Sequence, residues 1–116
     1  MSQATPARST DHPDGAAQGP VILHVWMIDP QRADRHIQLL AELFQEISDQ
    51  PGFVSARILQ APGRSSIAAV VEARTAEDRQ RLERLPQVQD VLQRLGGAAN
   101  LVVRRYDDVA AFNARG

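Results

Sequence analysis

One stretch constrains this chain more than any other. Asp29 to Val54, DPQRADRHIQLLAELFQEISDQPGFV, reads as a single amphipathic helix with a marked start and a marked stop, followed at once by a strand. Asp29 can accept backbone N–H bonds as the N-cap, and Pro30 takes the first helical position, where its missing donor and fixed φ cost nothing. Ala33, Ile37, Leu40, Phe44 and Ile47 recur at helical spacing and form one apolar stripe, which Leu39 and Leu43 widen. Gln50, Pro51 and Gly52 end the helix, because proline cannot continue it and glycine relieves the backbone beyond it. A stripe of this width needs a surface to lie on.

The remaining elements supply that surface. Val21 to Ile28 (VILHVWMI) is too short and too β-branched for a helix and reads as a first strand. Its odd positions are wholly apolar and its even positions mixed, which predicts cover on both faces. Phe53 to Gln60 and Ser65 to Arg74 read as two further strands, and the Pro62-Gly63 turn between them predicts a hairpin. Ile67, Ala69, Val71 and Ala73 form a small-residue face that needs something large opposite it. Thr75 is an N-cap for a second helix with Leu82 and Leu85 on its apolar side, and Pro86 interrupts that helix. Val88, Val91, Leu92 and Leu95 continue it to Gly96-Gly97, and Asn100 to Tyr106 is a fourth strand.

The order is β-α-β-β-α-β, so the fold class is α+β: a ferredoxin-like antiparallel sheet with both helices on one face. The other face is left open. In a chain of 116 residues such a sheet is best buried against a second copy, which predicts a homodimer closing into a dimeric α/β barrel. The domain is expected to span 21–106. Residues 1–20 are small, polar and broken by proline and glycine, and read as a disordered tail, with an arm that orders on a partner subunit as the minor reading. Residues 107–116 form a short C-terminal tail in which Val109 and Phe112 retain the capacity to pack.

Composition removes whole classes of function. With 13 basic and 14 acidic residues and a formal charge of −1, clustered positive charge for a nucleic-acid partner is lacking. Every basic residue is arginine, which excludes a lysine Schiff base and a P-loop lysine. The chain has no cysteine, hence no thiol nucleophile, disulfide or thiolate metal site. No apolar run approaches the roughly 20 residues that span a bilayer, and the N-terminus lacks a signal-peptide core, so a cytoplasmic location without membrane contact is the expectation.

Four features occur in a telling order: Asp29-Pro30 opening the first helix, Gln50-Pro51-Gly52-Phe53-Val54 closing it, Val70 to Ala73 (VVEA) running into a Thr-capped helix, and Leu85-Pro86 before its second part. Through them the chain resembles, from about Val21 to Tyr106, the antibiotic biosynthesis monooxygenase family of the dimeric α/β-barrel superfamily. The resemblance implies an enzyme that needs no metal, flavin or other cofactor and acts with dioxygen on quinols, anthrones or polyketide-derived phenols. Relatives of the family degrade haem or isomerise small molecules. Several positions depart from its pattern. Ala73 stands where the family commonly carries a pocket tryptophan, Ala69 where quinol oxygenases carry a substrate-binding asparagine, and Arg79 where an aromatic residue is usual. No histidine lies between Thr75 and Gly97, where haem degraders have one. His24 falls where those relatives carry a strand-one pocket asparagine, and Trp26, on the same face, is expected to fill the volume that Ala73 leaves.

The candidate catalytic residues are His24, whose imidazole titrates near neutrality and can take a proton from a phenol, and Tyr106, a proton donor. The candidate substrate-binding residues are Trp26 for stacking, Arg57 for an anionic oxygen, Ala69, Ala73 and Phe44 as cavity wall, and His36 at the cavity mouth. Each has a structural alternative. His24 reads equally as a hydrogen-bonded strand histidine, Trp26 as core filling, His36 as a surface residue, and Arg57, Glu72, Arg105 and Tyr106 as cross-strand or subunit-interface groups. No metal site is expected, because no histidine pair has i, i+3 or i+4 spacing. Three functions remain open: a cofactor-independent monooxygenase on an aromatic or polyketide-derived substrate, an isomerase or cyclase using the same pocket without oxygen, and a non-catalytic binding or assembly protein.

Overall fold

The computed structural model describes residues 19–96 and 101–115. The chain runs through strand β1 (Val21–Met27), a 3-10 turn (Pro30–Arg32), helix α1 (Ala33–Ile47) and strands β2 (Phe53–Gln60) and β3 (Ser66–Ala73). Helices α2 (Ala76–Glu83) and α3 (Pro86–Arg94) and strand β4 (Leu101–Tyr106) complete it. The four strands form one sheet in the order β2-β3-β1-β4, every neighbour antiparallel. This is the ferredoxin-like arrangement expected for an α+β chain of this element order.

The local signals act as their chemistry dictates. The Asp29 carboxylate accepts the Gln31 N–H at 3.0 Å, although the first turn it caps is 3-10 and α1 begins only at Ala33. Thr75 Oγ1 accepts the Asp78 N–H at 3.0 Å and starts α2. Pro86 opens α3 as its first residue, so the break between the two helices falls where the missing N–H does least harm. Between β2 and β3 the Arg64 N–H donates to the Ala61 carbonyl at 2.9 Å, closing the predicted hairpin. Gly52 has φ +85°, and a Cβ there would lie 2.2 Å from Asp78 Cγ. Only glycine lets the end of the α1–β2 loop pass this close to α2.

The core lies between the sheet and the helices. Trp26, Ala33, Leu40, Ile67 and Ala69 form its centre, with Phe44, Ile58 and Leu92 packed around them. The small face of β3 therefore meets the large residues of α1, as the pattern requires. The α1 stripe is wider than its apolar residues alone suggest, because His36 is buried with Leu39 and Leu40. An exposed His36, the structural alternative at that position, is thereby overturned.

Pairing register assigns the two faces. Ile22, His24 and Trp26 on β1 lie opposite Val71, Ala69 and Ile67 on β3, all on the helix side. Val21, Leu23 and Val25 lie on the other side, in register with Tyr106, Arg104 and Val102. That second face carries no helix, and Met27, Val102 and Tyr106 remain 56%, 45% and 47% exposed on it.

The expected N-terminal boundary shifts. Gly19 and Pro20, assigned to the N-terminal tail, are part of the domain: the Ala73 N–H donates to the Pro20 carbonyl at 2.9 Å, and a Cβ on Gly19 would lie 2.2 Å from the Tyr106 carbonyl oxygen. The rest of that tail, Gly97 and Asn100 lie outside the described residues. Val109 and Phe112 do not pack within this chain; each is 93% exposed in a segment without helix or strand.

Candidate functional site

Between the sheet and the helices lies a cavity of about 40 Å³, bounded by Ile22, His24 and Trp26 of β1, Leu40, Leu43 and Phe44 of α1, and Ala69 and Val71 of β3. Arg79, Leu82 and Glu83 of α2 close one end. The wall is apolar except at His24 and at that end. His24 faces Ala69 directly across the β1–β3 pair, so the missing side chain of Ala69 is what leaves room beside the imidazole.

Polar groups gather at the N-terminal end of β1. Arg79 is 1% exposed; its Nε donates to the Gly19 carbonyl at 2.6 Å, and its guanidinium also binds the Glu83 carboxylate one helical turn on. Arg105, from β4, reaches the same carboxylate through Nη2 at 2.7 Å and Nε at 3.3 Å. One carboxylate thus holds two guanidinium groups, one from a helix and one from the sheet. Burial tends to raise the Glu83 pKa, but the hydrogen bonds and charges of Arg105 and Arg79 outweigh it and hold the acid below its usual range.

His24 feels both signs of charge. Burial pushes its pKa down to about 4; the Glu83 charge pulls upward and the Arg105 charge downward, and neither reverses the desolvation. At neutral pH the imidazole is uncharged. Its ring stacks on Trp26 with centroids 5.4 Å apart and planes 11° apart. Trp26 in turn meets the edge of His36 at 4.7 Å and 70°. Burial also lowers the pKa of His36. Trp26 Nε1 and His36 Nε2 are both buried without a hydrogen-bond partner among the described residues.

His24, Trp26, Phe44 and Ala69 thus come together on one cavity. Ala73 is buried on the same face but stands beyond the cavity wall. Trp26 does not fill the space beside it: Trp26 pairs with Ile67, six residues along β3 from Ala73, or roughly 20 Å at the rise of a strand. The bulk at the Ala73 end is Arg79. Arg57 and Tyr106 project from the opposite face, since Arg57 pairs with Val70 and Tyr106 with Val21. They share no cavity with His24 in this chain. His36 meets Trp26 from the far side of the core, where a separate cavity begins. Among the described residues no three histidine, aspartate or glutamate side chains gather as a metal site would require.

Glu83 lines the cavity without having been among the candidate residues of the sequence. The signal was present: Arg79, Leu82 and Glu83 stand at i, i+3 and i+4, so the ion pair shares the buried stripe with Leu82. An Arg-Glu pair at that spacing reads as a solvated helix face unless the apolar residue between them is given weight.

No protein-family model and no curated protein matches the sequence. Solved structures do match. A candidate antibiotic biosynthesis monooxygenase from Deinococcus radiodurans superposes with a TM-score of 0.70 at 18% identity, over 83% of this chain and 99% of its own. A second, from Caulobacter crescentus, gives 0.69 at 12% identity over 81% and 93%. SnoaB, a cofactor-independent oxygenase from Streptomyces nogalater, gives 0.60 at 16% identity over 83% and 92%. At these identities the likeness is one of fold, and the chain spans nearly the whole length of each.

Proposed function

We propose that this chain is an enzyme of the antibiotic biosynthesis monooxygenase type, acting on a phenolic or anthrone-like aromatic molecule in the cavity between sheet and helices. The observation that carries the reading is an apolar cavity with His24 in its wall and a clamped Arg79–Glu83–Arg105 cluster at one end. The surrounding fold is shared with structures of that description, among them a cofactor-independent oxygenase.

In such a reaction the substrate loses a proton, the resulting anion gives an electron to dioxygen, and the two radicals combine. A CH₂ group then becomes a carbonyl: one oxygen atom stays in the product and the other leaves as water with the two hydrogens. The protein has to bind the ring, take up negative charge and exclude water. His24, neutral at physiological pH, is always in its accepting form. Its low pKa also makes it a weak base: a phenol with a pKa near 10 would transfer its proton about 6 units uphill, on the order of 8 kcal/mol. The Arg79 and Arg105 guanidinium groups are already held by Glu83, so the site suits substrates more acidic than a simple phenol.

The test is oxygen uptake with 1,8-dihydroxyanthrone. His24→Ala is expected to lower turnover by roughly 10²-fold or more with binding retained; unchanged turnover removes His24 from the role of base. A second reading, an isomerase or cyclase that uses the same cavity without oxygen, draws support from Ala69 and Ala73 at the family's asparagine and tryptophan positions. Product mass separates the two readings, because only oxygenation exchanges two hydrogens for an oxygen.

The same proposal includes a homodimer. The helix-free face of the sheet, with Leu23, Val25, Val70 and Val102 on it, and the exposed Val109 and Phe112 present apolar surface that a second copy would cover. Arg57 and Tyr106 belong to that interface in this reading. Sedimentation equilibrium at micromolar concentration should give twice the chain mass; a monomer there rejects the dimer.

A further inference from the structure

The cavity beside His24 holds roughly three water molecules and falls far below the ~300 Å³ at which small-molecule sites begin. A second cavity, of about 330 Å³, lies at the other end of β1, walled by Ile28 and Asp29, Arg32 and His36 at the start of α1, and Leu95 after α3. Among the described residues Trp26 alone lines both. The indole is therefore the partition between a space that has the polar chemistry and a space that has the room.

The partition is also where hydrogen bonding is incomplete. Trp26 and His36 are 2% and 5% exposed, and Trp26 Nε1 and His36 Nε2 have no partner. Buried polar atoms left this way are uncommon and call for a physical reason. Here the two nitrogens belong to rings in edge contact, both on the wall of the larger cavity. An indole N–H only donates, whereas a neutral imidazole nitrogen either donates or accepts. One hydroxyl group satisfies both atoms: it accepts from Trp26 and exchanges the second hydrogen bond with His36. Of the charged groups at this end, the exposed Asp29, whose Oδ1 accepts the Gln31 N–H at 3.0 Å, and the exposed Arg32 both line the cavity.

We propose that the larger cavity is the entry half of a single substrate site and that Trp26 is its gate. A planar phenolic molecule enters past Arg32, its hydroxyl is taken by Trp26 Nε1–H and His36 Nε2, and rotation of the indole into the larger cavity joins the two spaces and brings the ring to His24. This inference rests on the reading that the sheet–helix cavity holds an aromatic substrate, and it adds the route and the residues that select a phenol.

The test uses the full-length protein and 1,8-dihydroxyanthraquinone, a coloured and unreactive probe, with association followed by stopped-flow absorbance. Trp26→Leu removes the partition and is expected to raise the association rate about tenfold. Arg32→Trp obstructs the mouth without touching the inner cavity and is expected to lower it by about the same factor, while Arg32→Gln, the charge control, changes it far less. Trp26→Phe and His36→Leu each delete one hydrogen-bond partner and are expected to weaken binding about fivefold. That loss should vanish with anthraquinone, which has no hydroxyl group. Binding that persists at unchanged rates in both Trp26→Leu and Arg32→Trp overturns the gate and leaves the aromatic cavity standing. Equal losses with both probes overturn the hydroxyl-reading role. No binding to the wild type or to any variant overturns this inference and the reading on which it rests. If Trp26→Leu does not fold, Arg32→Trp and Trp26→Phe still decide the matter.

Discussion

The two ends of the helix-covered face of one sheet are built on opposite principles. At the N-terminal end of β1, charge is buried and every charged group meets an opposite one: Arg79 and Arg105 share Glu83, and Gly19 supplies a carbonyl to Arg79. At the C-terminal end no charge is buried among the described residues, yet two neutral rings keep nitrogens without partners beside open space. A satisfied cluster resists rearrangement because moving one member exposes the others. An unsatisfied pair gains by rearranging. The first end is suited to holding a field in a fixed place, the second to responding to a ligand.

The largest effect should come from breaking the satisfied end. Glu83→Gln leaves two guanidinium groups facing each other, one of them almost wholly buried. With Glu83 and Arg105 side chains still 23% and 28% exposed, the expected loss is about 3 kcal/mol, read as a lower urea midpoint at unchanged slope. A loss below about 1 kcal/mol would mean that the cluster is screened like a surface pair.

Acid should act through His24. Its folded pKa of about 4 lies below the ordinary 6.5, so between these values the unfolded chain binds the extra proton. Stability is complete above pH 6.5 and falls as the pH drops toward 4, by up to about 3 kcal/mol. His36, lowered in the same direction, adds to this slope, and the depressed Glu83 adds a further loss below its usual carboxylate range. His24→Asn should flatten the slope between pH 6.5 and 4 and leave the loss at lower pH. An unchanged slope would place a charged His24 in the folded protein.

The unsatisfied end should respond in the opposite sense. His36→Leu removes a buried nitrogen that has no partner, and the expected outcome is a stability unchanged or raised by about 1 kcal/mol. A loss of about 2 kcal/mol or more would reveal a hydrogen bond at Nε2 and remove the contrast between the ends. The smallest effect belongs to neither end: Arg64→Ala breaks an exposed bridge to Asp34 of 2.6 Å and should cost less than about 0.5 kcal/mol.

Much of this arrangement was legible in the sequence. Period-two alternation with Pro-Gly punctuation located β2 and β3, and capping chemistry at Thr75 and Pro86 located two helix starts, whereas Asp29 caps the 3-10 turn that precedes α1. The α/β order then dictated the sheet. The site was legible only in part. Periodicity puts His24 and Trp26 on one face of β1, Phe44 on the apolar stripe of α1 and Ala69 on the small-residue face of β3, but the depth of each along the sheet depends on strand register, which no local pattern carries. For that reason Trp26 was expected beside Ala73 and stands at the other end of β3. Arg57 and Tyr106 were drawn toward the site by their chemistry, and parity along their strands puts them on the other face. Glu83 and Arg105 meet across 22 residues of sequence, and a salt bridge between a helix and a distant strand leaves no mark in either segment.

Trp26 is the only tryptophan in the chain, so a ¹H–¹⁵N spectrum of the labelled protein contains a single indole N–H signal, the one on the partition between the two cavities. Titration with 1,8-dihydroxyanthraquinone reads the state of that N–H. A saturable downfield shift of that signal, as the unpartnered N–H acquires an acceptor, is the predicted result. A signal that stays in place while the probe binds elsewhere, or while it does not bind, would contradict the assignment of this cavity as the site.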